Sequence, residues 1–237
     1  MPSQEFVFKQ FKILQDKCAM KVGTDSVLLG SWVNTDNIKS ILDIGTGTGI
    51  IALMLAQKSG AYIDAIDIDE NAAIQAAENA KQSIWKDRIF IHHIALQKFE
   101  FESNKKYDLI VSNPPYFVDS SKAIEESRTN ARHTDQLAYA DLLNGVLKLL
   151  NTTGKFYVIL PTKEGELFRD MAEERKLFLT KLTRVKTRSD KSEKRLLMRF
   201  EFIRKTFSED VIVIEQDERH SYTPEYKALT KDYYLGF

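Results

Sequence analysis

The chain has 237 residues, 43% hydrophobic and 11% aromatic, which is enough to bury a substantial core and argues against intrinsic disorder. Its 34 basic and 34 acidic residues cancel, so no overall field draws it to nucleic acid and any such attraction must be local. The single cysteine, Cys18, excludes an internal disulfide and a cysteine-based zinc cluster, and the longest apolar run, Ile50 to Ala56, falls far short of the roughly 20 residues that span a bilayer.

Gln4, Glu5 and Lys9 stand where a signal peptide would be apolar, so a soluble, cytoplasmic protein with no membrane partner and no metal is expected. Residues 1–36 read as an N-terminal extension, with Gly23-Thr24-Asp25-Ser26 ahead of Val27-Leu28-Leu29 as a helix start. Ile38 to Ile44 reads as a strand ending at Gly45, and Thr48 to Lys58 as a helix apolar all round, suited to packing on a sheet. Ala61 to Asp67 predicts a second strand and Glu70 to Ser83 a second helix, capped by Asp69. Ile89 to Ala95, Tyr107 to Ser112 and Gly154 to Leu160 continue as strands, with a helix at Asp135 to Leu150 opened by Thr134. Repeated β–α units of this length imply a parallel, doubly wound sheet. After Pro161 a helix (Glu164 to Glu174) precedes two β-like runs, Leu177 to Thr187 and Lys194 to Arg204, which predict an antiparallel hairpin at one sheet edge.

Ligands of open parallel sheets sit at the carboxyl ends of the strands, where the chain order reverses. The turn after the first strand of this sheet is Asp43-Ile44-Gly45-Thr46-Gly47-Thr48-Gly49, and its G-x-G-x-G spacing departs from the dinucleotide fingerprint, which needs glycine where Ile50 stands. A glycine-rich bend admits close backbone approach, and Asp43 suits a cationic amino-acid moiety better than a pyrophosphate. Asp67, closing the second strand with Ile68 beside it, is placed to accept both ribose hydroxyls. These elements resemble an α/β, Rossmann-like class I methyltransferase: a seven-stranded, mostly parallel sheet with a C-terminal antiparallel hairpin, binding S-adenosyl-L-methionine. The resemblance implies cofactor contacts from Asp43, Gly45, Thr46, Gly47, Gly49, Asp67 and Ile68. Members often place an acidic residue after the third strand, where Ile94-Ala95-Leu96-Gln97 has none, so Ala95 and Leu96 are expected to act through backbone alone.

The fourth strand delivers Asn113-Pro114-Pro115-Tyr116 to the same edge. An exocyclic amino nitrogen is planar because its lone pair is delocalised into the ring. Acceptors such as the Asn113 side-chain oxygen and the Pro114 carbonyl draw its protons out of plane and free the lone pair. Two prolines fix φ and remove backbone donors that would compete, and Tyr116 offers a stacking face worth about 1–3 kcal/mol per base. The four residues are the candidate catalytic set, with Asn113 also a cofactor contact. In this order the motifs resemble amino-methyltransferases acting on adenine, on guanine N2 of ribosomal RNA, or on the glutamine of release factors.

Three further stretches resemble bacterial adenine-N6 methyltransferases that modify valine tRNA beside its anticodon: Phe8-Lys9-Gln10-Phe11 with Ala19 to Asp25; Asn113 to Phe117 with Arg128 and Ala131-Arg132-His133; and Tyr222 to Leu235. The resemblance implies one methyltransferase domain over residues 1–237, with a core at 37–205 and a C-terminal extension at 206–237. It implies tRNA as partner and Lys21, Gly23, Thr24 and Asp25 as further cofactor contacts. Lys9, Lys12, Arg128, Arg132, Lys186 and Arg188 are the candidate RNA contacts. The last two belong to a run, Lys181 to Lys205, with ten basic residues against three acidic ones, which suits either phosphates or a solvated hairpin face. Oligomeric state is not set by these residues, and a monomer is the default. A guanine-N2 methylase, a protein-glutamine methylase and a non-catalytic cofactor-binding module are the competing readings. The glutamine enzymes usually carry a larger N-terminal helical domain than 36 residues supply, and an intact tetrapeptide argues against the last.

Overall fold

Two short strands, Glu5–Val7 (β1) and Lys12–Leu14 (β2), pair antiparallel and turn Phe8 and Phe11 inward, where their rings stack at 4.8 Å. The structure is a computed structural model that describes residues 5–18, 20–115 and 139–237. Helix Thr24–Trp32 (α1) crosses helix Ile50–Lys58 (α2) closely: a Cβ on Gly30 would lie 2.6 Å from the Met54 sulfur, so a larger residue here would force the Met54 side chain to move.

The sheet begins with Ser40–Ile44 (β3), whose run of buried residues is what a parallel strand covered on both faces requires. Tyr62–Asp67 (β4), Ile89–His93 (β5) and Tyr107–Ser112 (β6) are joined by helices Glu70–Gln82 (α3) and Leu96–Glu102 (α4). Helical residues 139–149 (α5) lead into Leu150–Pro161 (β7), then helix Thr162–Glu174 (α6). Strands Phe178–Lys186 (β8) and Glu193–Glu201 (β9) form the expected antiparallel hairpin, with β9 also antiparallel to β7. Ser208–Val213 (β10) pairs parallel with β8, and Pro224–Thr230 (α7) follows it.

The seven expected strands are present, and among the described residues β10 makes the sheet eight-stranded, in the order β10-β8-β9-β7-β6-β3-β4-β5. From β3 the chain adds β4 and β5 on one side, then returns to add β6 and β7 on the other, so the order reverses between β3 and β6.

Each sheet face carries its own core. Val27, Leu28, Ile51, Leu53, Tyr226 and Tyr233 belong to one, and Leu143, Val146, Phe156, Phe168 and Phe200 to the other. The carboxylate of Asp64 accepts from His92, Lys105 and the Tyr107 hydroxyl, pinning β4, β5 and β6 together. Burial alone would raise its pKa, but these bonds hold it down to about 2. Among the described residues no helix is long and apolar enough to cross a membrane, and no cluster of three or more His, Cys, Asp or Glu is placed to hold a metal ion.

Candidate active site at the switch point of the sheet

The reversal between β3 and β6 opens a crevice at the carboxyl ends of the strands. In the register Ile44 stands opposite Ser112, and the Ser112 hydroxyl donates to the Ile44 carbonyl at 2.9 Å. Gly45 and Asn113 therefore leave neighbouring strands side by side, about 4.8 Å apart.

The turn after β3 is shaped by three glycines with positive φ: Gly45 at 72°, Gly47 at 57° and Gly49 at 80°. Side chains rarely adopt that region, and at Gly45 and Gly47 an added Cβ would meet nothing within 4 Å, so the bend faces open space. At Gly49 the Cβ would press to 3.2 Å on Ala76, which keeps α2 and α3 close. The Gly45 and Thr46 amides both donate to the Ile66 carbonyl, at 2.9 and 3.0 Å, tying the turn to the end of β4.

Asp43 is fully buried. Its Oδ2 accepts from the Thr46 hydroxyl at 2.7 Å, while Oδ1 has no hydrogen-bond partner. Burial is the main cause of a pKa pushed up to about 7; the Thr46 bond opposes the shift and the nearby Asp67 charge adds to it. An orphaned buried acceptor is costly unless a donor completes it. Asp67 accepts the Gly47 amide at 2.8 Å through Oδ2 and the Asp69 amide at 2.9 Å through Oδ1. Two of about four lone-pair positions remain on this carboxylate for further donors. Asp69, as expected, caps α3 by accepting the Ala72 amide at 2.9 Å. Ile68 beside it is 74% exposed, an apolar face on the rim of the crevice.

Ala95 is the N-cap of α4, a helix that the sequence reading missed because no side chain caps it. Leu96 is thus the first helical residue, and its amide has no partner within the helix. The Ile94 amide donates to the Asp67 carbonyl at 2.9 Å, bringing this corner to the crevice.

Asn113 and Pro114 are half-buried and Pro115 is exposed. The Asn113 Nδ2 donates to the Ser26 hydroxyl at 3.0 Å, which directs the amide nitrogen toward α1. Ser26 was read only as part of a helix start. Next to it Asp25 pairs with Arg195 of β9 at 2.8 Å, bracing the first turn of α1 against the hairpin. Gly23 is the N-cap of that helix, with no side-chain cap, and Thr24 is its first residue.

The N-terminal segment is fastened across this region. Asn79 accepts the Leu14 amide and donates to the carbonyls of Leu14 and Thr48, and Gln75 accepts the Lys17 amide. Both amides are buried in α3, where their sequence context resembles a solvated helix face. Cys18 is buried, which drives its thiol pKa up to about 11, and the charges of Asp67 and Asp69 push the same way. Lys21 donates to the carbonyls of Gln15 and Cys18 and so closes this strap on itself.

The expected RNA contacts separate. Lys9 donates to the carbonyls of Lys231 and Phe237, holding the two termini together, and Lys12 forms a half-exposed pair with Glu5 at 3.3 Å. Lys186 and Arg188 lie at the tip of the β8–β9 hairpin. Tyr116, Arg128 and Arg132, with His133 and the Thr134 cap, lie outside the described residues.

A glycine-rich turn and two aspartates at the switch point, next to an Asn-Pro-Pro leaving the adjacent strand, define a methyltransferase of the Rossmann-like class. The methyltransferase small domain model matches residues 18–166. A tRNA1(Val) (adenine(37)-N6)-methyltransferase of Trichodesmium erythraeum is 47% identical over 240 residues, covering 100% of both chains. Another of the same name, from Flavobacterium johnsoniae, is 49% identical over 97% of this chain and 99% of its own. Among solved structures, a predicted O-methyltransferase of Agrobacterium tumefaciens superposes with a TM-score of 0.71 at 16% identity, covering 88% of this chain and 96% of that one, a likeness of fold. The chain belongs to the methyltransferase small domain family and, within it, to the tRNA1(Val) (adenine(37)-N6)-methyltransferases.

Proposed function

We propose that the protein transfers the methyl group of S-adenosyl-L-methionine to the N6 amino nitrogen of adenine 37 in a valine tRNA. The relatives that cover 97–100% of the chain at 47–49% identity carry that name, which favours adenine over guanine N2 or protein glutamine. The structural observation that carries the reading is Asn113, fixed by Ser26 beside the glycine-rich turn.

The residues present fit the cofactor. Asp43 Oδ1 is an unpartnered acceptor suited to a donor-rich or cationic group, the bend at Gly45 and Gly47 leaves room for a ligand, and Asp67 keeps lone pairs for hydroxyls. Thr46 holds Asp43, Gly49 keeps α2 against α3, Ile68 offers an apolar edge, and Ala95 and Leu96 contribute backbone. Ser26 in the first turn of α1 reaches Asn113, so Thr24 and Asp25 of that turn, with Lys21 and Gly23 before them, are assigned to the α1 side of the crevice. When bound, S-adenosyl-L-methionine supplies an electrophilic methyl group on a sulfonium centre.

Asn113 Oδ1 and the Pro114 carbonyl accept the two amino protons and localise the nitrogen lone pair. With Nδ2 engaged by Ser26, the amide oxygen is left to face the base. These dipoles are aligned before the reaction, so no reorganisation is needed when charge develops on nitrogen. The surplus proton leaves after the new bond forms, so no strong base is required. An anticodon-loop purine is poorly paired, and turning it into the crevice costs less than extruding a base from a duplex.

The test is the tRNA of a strain lacking the protein. Its valine tRNA is expected to lack N6-methyladenosine and to regain it when the gene is restored. N6-methyladenosine at wild-type level in the deletion strain would overturn the reading.

A further inference from the structure

A cleft of about 370 Å³ at the tip of the β8–β9 hairpin is lined by Thr187, Arg188, Lys191, Lys194, Glu215 and Arg219. Four cations face one carboxylate there. Lower in the wing most of the basic run is already engaged: Lys181 pairs with Asp210, Arg184 with Glu193 and Glu209, Arg195 with Asp25, and Arg199 and Lys205 with Glu201, while Arg204 lies over the Phe178 ring. At the tip, Asp190 holds Lys191 at 3.0 Å and Arg188 more loosely at 3.8 Å. Charge left over from pairing thus concentrates in the cleft, and Arg219 reaches it from a segment outside the hairpin.

Strand register gives its position. Ser112 is level with Val158, Met198 and Leu182 on successive strands β7, β9 and β8. Lys186 lies four residues beyond Leu182 toward the catalytic edge. The hairpin tip is therefore about 14 Å across from the Asn113 loop and about 13 Å further out. That separation, near 20 Å, corresponds to on the order of six nucleotides of a stacked strand at 3.4 Å per phosphate. A second cleft of about 370 Å³ is lined by Ala77, Ala80, Lys81, Lys86, Asp87, Ile89 and Ile91. It sits where α3 returns to the start of β5, at the opposite edge of the sheet, and mixes Lys81, Lys86 and Asp87 with alanine and isoleucine.

We propose that the hairpin-tip cleft docks the phosphate backbone of the RNA several nucleotides from the methylated base. The proposal rests on tRNA being the substrate. Planar guanidinium groups on Arg188 and Arg219 suit bidentate phosphate contacts, and Lys191 and Lys194 add mobile point charges. Such contacts position the RNA without reading its sequence.

The test is binding of labelled valine tRNA across a salt series, read without methyl transfer. Arg188→Gln, Lys194→Gln and Arg219→Gln combined are expected to weaken binding about tenfold or more at low salt and to flatten the plot of log affinity against log salt by about two. Glu215→Gln, which keeps the Oε1 that accepts the His220 amide, is expected to tighten binding. Lys81→Gln with Lys86→Gln, at the opposite edge, is expected to change neither quantity. Wild-type affinity and slope in the triple variant, or an equal loss in the Lys81 and Lys86 pair, would overturn the proposal. If the wild type methylates tRNA in that case, only the cleft fails. If instead binding follows the cleft charges but no RNA is methylated, the docking site stands and the functional reading falls.

Discussion

The switch point, inside the strand order, and the β8–β10 wing, at one end of it, belong to one sheet and are built by opposite means. At the switch point, positions are fixed by backbone and by buried or half-buried polar groups with specific partners: Gly47 on Asp67, Ser112 on Ile44, Asn113 on Ser26. In the wing, position is set by strand pairing, and side chains form pairs that solvent reaches, such as Lys181 with Asp210. A buried polar group cannot be replaced without leaving its partner unsatisfied, whereas an exposed ion pair contributes little and is screened by salt. Substitutions in the first region should act as steps, those in the second as gradients.

The largest step is expected at Asn113→Ala, which should lower single-turnover methyl transfer about 10²-fold or more while changing cofactor affinity by less than about tenfold. Unaltered turnover would remove Asn113 from the mechanism and erase the contrast between the regions.

Asp43→Asn separates binding from stability. Cofactor affinity should fall about tenfold or more, as for a lost charged partner. Stability should move the other way. Folding raises the Asp43 pKa to about 7, so the contribution of this group is fully present below its unfolded value and is lost as pH rises from about 4 through about 7. The asparagine variant should therefore melt several degrees above the wild type at pH 8, where burying the charge costs on the order of a few kcal/mol, with the gap closing toward pH 4. A lower Tm than the wild type at pH 8 would contradict this.

A smaller step is expected at Ser26→Ala: about a tenfold loss in kcat with the KM for cofactor little changed, and substantial recovery in Ser26→Thr, which keeps the hydroxyl. Equal losses in both variants would point to packing of α1 instead of orientation of the Asn113 amide. The smallest effect belongs to the wing. Arg184→Gln removes pairs to Glu193 and Glu209 and should cost less than about 1 kcal/mol, shrinking further at high salt by urea titration. A larger cost that salt does not reduce would show the wing to be as rigid as the switch point.

The same contrast governs what the sequence discloses. Asp43 to Gly49, Asp67, the Asp69 cap and Asn113-Pro114-Pro115 are legible as a turn, a strand end, a cap and a strand exit because local spacing and turn chemistry set their geometry. Ser26 reads as a helix start because its partner lies 87 residues away. Asn79 and Gln75 sit among alanines and glutamates like surface residues, and only the docking of the N-terminal strap buries them. β10 escapes notice because Ser208, Glu209 and Asp210 look like loop, whereas Asp210 and Glu209 meet the cations of β8. The basic run is legible as charge but not as free charge, since part of its pairing comes from Asp25, Glu209 and Asp210 outside it and Arg219 joins from beyond it.

The most direct test of the whole account uses the purified protein with labelled S-adenosyl-L-methionine and two valine tRNA transcripts, one carrying adenine 37 and one with guanine there. Label recovered as N6-methyladenosine from the first transcript and absent from the second is the predicted result. Equal labelling of both, or label recovered as N2-methylguanosine, would contradict it.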